Sequence, residues 1–145
     1  MHTGLIPQSS WRNGRPLLYA ALMTDKPDLS RLRRPSGLTR GDILRASVGR
    51  TEAALIDCFG RPFHLARRTR IGRDADAVDL VILDEAVSSL HAELALGEEG
   101  WMILDRGSMN GTFVEGVRVR GARCLRDADV ISFADVGFIF REKHP

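Results

Sequence analysis

Short apolar runs alternate with polar turns through most of the chain after residue 50. Most runs are rich in Val, Ile, Leu or Phe, and none keeps a helical period long enough to compete with a strand. Val114, Val117 and Val119 alternate with polar neighbours around Glu115-Gly116, which is typical of a hairpin. The other predicted strands are 53–59, 62–66, 69–71, 78–83, 91–96, 101–104, 130–133 and 136–140. About ten or eleven short strands predict an all-β fold, a β-sandwich.

The first fifty residues have a different pattern. Residues 1–37 contain four of the six prolines and no sustained periodicity, so we expect an irregular arm that is flexible or loosely packed. Within it, residues 17–23 suit one or two helical turns or an added edge strand. A second short helix is predicted over 39–48, with Thr39 as its N-cap and Asp42 at its third position. The arm is thus expected to be partly helical.

Charge divides the chain at about the same place. Residues 1–50 hold nine Lys or Arg against three Asp or Glu, and residues 51–145 hold twelve against sixteen, although the whole chain carries only +2. We therefore place a boundary near Arg50, with a basic N-terminal arm over 1–50 and a sandwich domain over 51–143.

Composition narrows the class of protein. At 145 residues, with 43% hydrophobic and 28% charged residues, the chain suits one globular domain. No run approaches the roughly 20 apolar residues of a membrane span, and the apolar stretch near the start lacks a signal-peptide cleavage pattern. Cys58 and Cys124 fit no metal or redox spacing, so we expect two reduced thiols and a cytoplasmic location.

Three polar clusters follow apolar runs and contain the candidate functional residues. They read Gly72-Arg73, Ser88-Ser89-Leu90-His91 and Asp105-Arg106-Gly107-Ser108-Met109-Asn110-Gly111. Their positions at strand ends predict that they lie on loops, where a rigid sheet can hold side chains open to a ligand.

These clusters resemble the signature of forkhead-associated (FHA) domains, the β-sandwich modules that bind phosphothreonine. Gly72-Arg73, then Ser-x-x-His ending at His91, then Asn110-Gly111 follow in the order and at about the spacing of that family. Asp-x-x-Ser before the asparagine, and Leu-Arg-Asp-Ala-Asp-Val-Ile at 125–131, match two further motifs. The resemblance extends from about residue 51 to residue 143.

The resemblance implies a phosphopeptide-binding role for four residues. Arg73 matches the arginine that contacts the phosphopeptide, and its guanidinium is a permanently charged fork of donors for phosphate oxygens. Ser88 matches the serine whose hydroxyl bonds the phosphate, and Ser89 a position that often adds a further phosphate contact. Asn110 matches the asparagine that bonds the peptide backbone, a task that suits a carboxamide because it both donates and accepts.

By the same resemblance, the other signature residues shape the loops and need not touch the ligand: Gly72, His91, Asp105, Ser108 and Gly111. Met109 stands where many family members carry Thr or Ser, which removes one phosphate contact that those members can make. Ala128 replaces a glycine of the late turn.

The implied function is a phosphothreonine-dependent adaptor that binds an extended segment of a partner protein, downstream of a Ser/Thr kinase. We expect no catalysis, since Ser88 lacks a Gly-x-Ser-x-Gly elbow and a three-residue spacing on a strand does not bring its side chain to His91. The remaining histidines form no metal-ligand cluster, and no cofactor-binding motif is present.

Two other function classes stay open. A phosphate-independent scaffold or oligomerisation module would use a face of the sandwich instead of the loops. A nucleic-acid binder would use the basic arm, notably Arg31, Arg33 and Arg34, but this arm lacks the interleaved aromatic residues typical of such sites.

Overall fold

Two six-stranded sheets pack face to face in the structure, a computed structural model that describes residues 11–12, 15–16, 27–45 and 51–143. In chain order the strands are β1 Trp11–Arg12, β2 Arg15–Pro16, β3 Ile43–Arg45, β4 Ala53–Ile56, β5 Pro62–His64, β6 Arg68–Gly72, β7 Leu80–Ile82, β8 Ala92–Gly97, β9 Gly100–Asp105, β10 Thr112–Val114, β11 Val117–Arg118, β12 Ala122–Cys124, β13 Val130–Phe133 and β14 Val136–Glu142. The first sheet has the order β11-β10-β13-β14-β4-β5 and the second the order β12-β9-β8-β6-β7-β3, while β1 and β2 form a two-stranded sheet of their own. The prediction of an all-β sandwich is confirmed.

Strands β6 and β7 of the second sheet run parallel, whereas the other ladders between described strands are antiparallel. In this parallel pair, Ile71 lies opposite Leu80 and Gly72 opposite Val81. Because parallel strands finish at the same edge of a sheet, the segments that follow β6 and β7 emerge side by side.

Apolar side chains point inward along the strands and fill the space between the two sheets. Leu94 and Ile103 from the second sheet and Phe133 and Phe138 from the first are completely buried. The rings of Phe133 and Phe138 meet edge to face, with centroids 5.7 Å apart. Because such a core is close-packed, it holds the strand ends, and with them the loops, in fixed relative positions.

Every run predicted as a strand contains a strand, but the sandwich has twelve described strands where we expect about ten or eleven. The two that escape the prediction are β3 and β12, the two edge strands of the second sheet. Strand β12 reads Ala-Arg-Cys, which is too short to give a strand pattern, and its Ala122 and Cys124 are exposed, so it forms through its backbone pairing with β9.

The helix predicted over 39–48 is wrong. Thr39 caps a single 3-10 turn, Arg40–Asp42, and Ile43–Arg45 continues as a strand that pairs with β7. Pairing with an edge of the sheet buries the first residue of this strand, which overrides a weak local helix propensity. The rest of the predicted helix and the stretch 17–23 lie outside the described residues. Helical structure in the described ranges is limited to 3-10 turns, and no helix there is long and apolar enough to cross a membrane.

Residues 27–45 contact both sheets of the sandwich. Leu32 is only 9% exposed and forms a second apolar cluster with Ala54, Ile56 and Ile139 on the outer face of the first sheet. Further along, β3 completes the edge of the second sheet. The boundary near Arg50 stays a prediction, because these contacts do not show which part of the chain folds by itself.

Arg31 joins this segment to two turns of the sandwich. Its guanidinium contacts the Glu115 carboxylate at 2.7 Å and donates to the carbonyl of Ala128 at 2.9 Å. Ala128 has a φ of 71°, in the left-handed region that favours glycine, which explains why a glycine is expected at this turn. The Ala128 N–H still donates to the carbonyl of Phe140 at 2.8 Å, so the turn forms with alanine in place.

We expect Leu32→Ala to lower the free energy of unfolding by about 2 to 3 kcal/mol, because it removes buried methyl groups and leaves a cavity over the first sheet. Urea denaturation of the whole chain measures the difference. Arg33→Ala, at an exposed neighbouring position, is the control and should change stability by less than about 0.5 kcal/mol. Wild-type stability in Leu32→Ala would show that this packing contributes nothing to the fold.

Candidate functional site

Three loops meet at one end of the sandwich and carry the predicted site residues. They are the β6–β7 loop (73–79), the β7–β8 loop (83–91) and the β9–β10 loop (106–111). Strand β6 runs parallel to β7 and antiparallel to β8, and β8 runs antiparallel to β9. Strands β6, β7 and β9 therefore end at the edge of the sheet where β8 begins. The second sheet therefore determines which loops are neighbours.

The β6–β7 loop lies directly against the β7–β8 loop. The N–H groups of Arg73 and Asp74 donate to the carbonyls of Ser88 and Ser89, at 3.0 and 3.2 Å. A Cβ on Gly72 would lie 2.2 Å from the carbonyl oxygen of Ser89, far inside contact distance. Only glycine permits this approach, as expected of a residue that shapes the loops.

The polar side chains at this contact are available to a ligand. Arg73 is exposed, and its guanidinium has no hydrogen-bond or ion-pair partner among the described residues. The exposed Ser89 hydroxyl also lacks a partner within those ranges. The Ser88 hydroxyl oxygen accepts from the Met109 N–H at 3.1 Å, which leaves its own hydrogen to donate. One permanent cation and two hydroxyl donors thus lie on adjoining loops.

The buried side chain of His91 connects the β7–β8 loop to the β9–β10 loop. Its Nδ1 accepts from the Ser88 N–H at 3.0 Å, and its Nε2–H donates to the carbonyl of Gly111 at 2.8 Å. These two partners assign the neutral ring with the proton on Nε2, because a carbonyl only accepts and an N–H only donates. Burial lowers the pKa of His91 below its ordinary value, although the Gly111 hydrogen bond and the charge of Asp105 oppose the shift.

Asp105 and Ser108 organise the β9–β10 loop. The Asp105 carboxylate accepts from the hydroxyls of Ser108 and Thr112 and from the N–H groups of Gly107 and Ser108. The Ser108 hydroxyl in turn accepts from the Gly111 N–H at 3.1 Å. Burial alone would raise the pKa of Asp105, but these hydrogen bonds outweigh it and lower the pKa below its ordinary value. The loop is therefore held by a charged acceptor at its centre.

Asn110 is exposed at the tip of the β9–β10 loop, with its side chain tied to the neighbouring loop. Its Nδ2 donates to the carbonyl of Ala86 at 2.8 Å. The Oδ1 atom has no partner among the described residues and can accept from a ligand N–H. Met109 beside it is 85% exposed and contributes only its backbone N–H to the loop contacts.

The structure thus brings together, at one end of the sandwich, the four predicted peptide contacts and the five predicted loop residues, whereas the late turn with Ala128 lies elsewhere. Their roles as ligand contacts or loop supports remain predictions. Three participants escape sequence reasoning: Ala86, Thr112 and Phe133. Thr112 directly follows Asn-Gly, and this position is the signal that could have identified its hydroxyl as a partner of Asp105. Nothing in the sequence marks the carbonyl of Ala86, which accepts from Asn110. Nor does anything mark the ring of Phe133, whose centroid lies 5.9 Å from that of His91.

Among the described residues, no group of three or more His, Cys, Asp or Glu is arranged to hold a metal ion.

Comparison with known proteins finds the same family from sequence and from structure. The model of the FHA domain family matches residues 69–134. A 73-residue stretch is 41% identical to the ABC transporter ATP-binding/permease protein Rv1747 of Mycobacterium tuberculosis, covering 50% of this chain and 8% of the relative. The chain therefore corresponds to a small part of that protein.

Two solved structures give the structural likeness. Mycobacterium tuberculosis EmbR in complex with a low-affinity phosphopeptide is 37% identical, with a TM-score of 0.60 over 64% of this chain and 25% of EmbR. A structure from an analysis of phosphothreonine-dependent FHA domain interactions is 31% identical, with a TM-score of 0.56 over 64% of this chain and 95% of that one. The second likeness covers almost an entire solved domain.

We expect the free energy of unfolding to fall as the pH is lowered from 7.5 to 5. Burial lowers the pKa of folded His91 below its ordinary value of 6.5, so the unfolded chain binds the proton more readily than the folded one. The stability due to neutral His91 is complete above about pH 6.5 and decreases as the pH falls below it. Urea denaturation at several pH values should show a smaller decrease for His91→Gln than for the wild type.

NMR titration of the wild-type imidazole is the second measurement, because His91→Gln removes buried hydrogen bonds and can unfold the chain. The ring of His91 should remain neutral, with its proton on Nε2, at pH 6.5. An imidazole that is half protonated at or above that pH would contradict the assignment.

Proposed function

This chain belongs to the FHA domain family, and on that premise we propose that it is a phosphothreonine-dependent protein-binding module. It acts as an adaptor downstream of Ser/Thr kinases, and its partner presents the phosphothreonine in an extended segment. The observation that carries the proposal is that Arg73, whose guanidinium has no partner among the described residues, lies on a loop joined by backbone hydrogen bonds to the loop that carries Ser88 and Ser89.

The chemistry of these groups matches that of a phosphate ester. A phosphothreonine carries about −1.5 to −2 charges at neutral pH and three strong acceptor oxygens. Arg73 supplies a permanent charge and a planar fork of N–H donors, and Ser88 and Ser89 supply short neutral donors. Each charge-assisted hydrogen bond contributes roughly 1.5 to 3 kcal/mol, so a few together support the ~8 kcal/mol of a micromolar complex.

Asn110 keeps both kinds of hydrogen-bonding group for a peptide. Its Nδ2 donates one N–H to the carbonyl of Ala86, which leaves the Oδ1 acceptor and the second N–H donor open. We therefore assign Asn110 to bond the backbone of the bound segment. The Ala86 contact also holds the carboxamide in one orientation, which reduces the entropy lost on binding.

The geometry of Ser88 and His91 favours binding over catalysis. The imidazole bonds the backbone N–H of Ser88 and the carbonyl of Gly111, so both ring nitrogens are occupied and neither faces the serine hydroxyl. A nucleophilic serine requires a base within hydrogen-bond reach of its hydroxyl. We propose a non-catalytic module for this reason, and a cytoplasmic location because cytoplasmic Ser/Thr kinases would supply its ligand.

The relatives support the proposal through the matched domain alone. EmbR is solved with a phosphopeptide, and the other structure concerns phosphothreonine-dependent FHA domain interactions. This chain covers 25% of EmbR and 8% of the transporter, so the activities of those whole proteins are not part of the proposal. We infer the preference for phosphothreonine over phosphoserine from the family likeness, and the affinities for the two kinds of peptide measure it directly.

We expect Arg73→Ala to weaken binding of a phosphothreonine peptide roughly 10- to 100-fold, because it removes one charged donor from the phosphate. Fluorescence anisotropy with a degenerate phosphothreonine peptide pool measures the affinity. Arg67→Ala is a matched control, since Arg67 and Arg73 flank β6 at opposite ends and both are exposed without a side-chain partner among the described residues. Its affinity should equal that of the wild type.

Phosphoserine and unphosphorylated pools complete the design. The proposal requires tight binding of the phosphothreonine pool alone. Equal losses in Arg73→Ala and Arg67→Ala would contradict a site at Arg73. Equal binding of phosphorylated and unphosphorylated pools would instead favour the phosphate-independent scaffold.

A further inference from the structure

Arg118 lies close to the tip of the β9–β10 loop. It pairs with Phe113 across the β10–β11 hairpin, on the outer face of the first sheet. Its Nε atom lies 3.2 Å from the position that a Cβ on Gly111 would occupy, and the Phe113 ring approaches the same position at 3.0 Å. Gly111 directly follows Asn110, so the Arg118 side chain extends to the residue beside the proposed peptide contact. The lack of a Cβ at position 111 leaves room for this approach.

The charge of Arg118 is available in the described part of the molecule. Arg118 is exposed, and its guanidinium has no hydrogen-bond or ion-pair partner among the described residues. Arg106 in the adjacent loop is different, because it contacts the carboxylate of Glu93 at 3.2 Å. Arg120 is also exposed without a partner in the described ranges, and the contact of the Gly121 carbonyl with the Asp105 N–H at 3.1 Å places it near the same loop. This side of the site therefore carries two arginines without ion-pair partners among the described residues, while its exposed carboxylate, Asp135, lies in the β13–β14 turn that contacts Gly111.

The opposite side of the site carries negative charge. The β6–β7 loop has Asp74 and Asp76 exposed just beyond Arg73, and the β7–β8 loop has Glu85 exposed and Asp84 partly exposed. Asp74 and Asp84 accept only backbone N–H groups of their own turns, at 3.0 and 2.9 Å. No arginine or lysine forms an ion pair with any of these four carboxylates among the described residues. Exposed carboxylates thus lie on the Arg73 side of the site. Arginines without a partner among the described residues lie on the Asn110 side.

We propose that Arg118 is a specificity-determining residue, which selects segments that carry an acidic side chain on the Asn110 side of the phosphothreonine. The inference rests on the proposed function, since it assigns a charge preference to the same site. An extended segment advances about 3.3 Å per residue, so a chain that crosses from Arg73 to Asn110 presents its next residues to Arg118. The acidic loops disfavour a second acidic side chain on the Arg73 side by like-charge repulsion.

The expected size of the effect is moderate because Arg118 is exposed. An ion pair in such a position changes affinity by about two- to fivefold at low ionic strength. Added salt screens it, because the Debye length falls to about 8 Å at physiological ionic strength. A charge preference that weakens with salt is therefore part of the inference, whereas hydrogen bonds between the phosphate and Ser88 or Ser89 depend less on salt.

The test uses the whole chain and three phosphothreonine peptides of equal length. One has neutral flanks, one has acidic residues before and basic residues after the phosphothreonine, and one has the reverse order. The net charges of the two charged peptides are equal, so overall attraction cannot separate them. We expect anisotropy to show at least a twofold preference for one of the two charged peptides, which also identifies the direction in which the segment lies.

The Arg118→Gln variant assigns this preference to a residue. It should reduce the affinity ratio of the two charged peptides toward one, whereas Arg67→Gln, at the opposite end of β6, should leave the ratio as in the wild type. The ratio serves as an internal standard, because a general structural defect would weaken both peptides together.

The outcomes separate the inference from the proposed function. If the neutral peptide binds and Arg73→Ala weakens that binding as expected, but the two charged peptides bind equally, the proposed function stands and the inference is wrong. A ratio that is unaffected by Arg118→Gln likewise overturns the assignment to Arg118. If none of the three peptides binds, the proposed function fails, and the inference fails with it.

Discussion

The candidate site depends on one neutral imidazole that joins two loops of the sandwich. His91 accepts from the Ser88 N–H with Nδ1 and donates to the carbonyl of Gly111 with Nε2, and it does so while completely buried. The Gly111 carbonyl also accepts from the Ala134 N–H at 2.8 Å, which ties the same atom to the first sheet. Because each nitrogen has a partner of the opposite kind, burial of the ring leaves no polar atom unsatisfied. The spacing between Ser88 and Asn110 follows from this bridge.

The β7–β8 loop is restrained from three further directions. Gly72 lets β6 approach the Ser89 carbonyl, and Asn110 holds the Ala86 carbonyl from the opposite side. The Leu83 N–H donates to the carbonyl of Asp42 at 2.6 Å, so the segment before β3 supports the start of the loop. A phosphate site needs donors that are already positioned before the ligand arrives, since ordering them during binding would reduce affinity. The loop that carries Ser88 and Ser89 meets this requirement through its backbone.

Much of the site could be predicted from the sequence because its signature residues follow one another in a fixed order at strand ends, a pattern that resembles the FHA family. The physical reason for each residue is not local, since Gly72 is required by the approach of the Ser89 carbonyl and His91 bonds Gly111. The local pattern over 39–48 favours a helix, whereas Ile43–Arg45 is a strand because its structure comes from pairing with β7, which is distant in sequence. The contact between Asn110 and Ala86 and the position of Arg118 over Gly111 arise in the same way. They follow from loop apposition and hairpin register, which a local pattern does not encode.

NMR of the isotope-labelled full chain, titrated with a phosphothreonine peptide, is the most direct test of a phosphothreonine site on these loops. The largest changes in backbone amide shifts should fall at Arg73, Ser88, Ser89 and Asn110, and the same peptide without its phosphate should leave these amides unchanged. That result would show that the ligand occupies the three loops and that the phosphate brings it there. Shift changes confined to the outer faces of the sheets, or equal changes with and without the phosphate, would contradict a phosphothreonine site at this end of the sandwich.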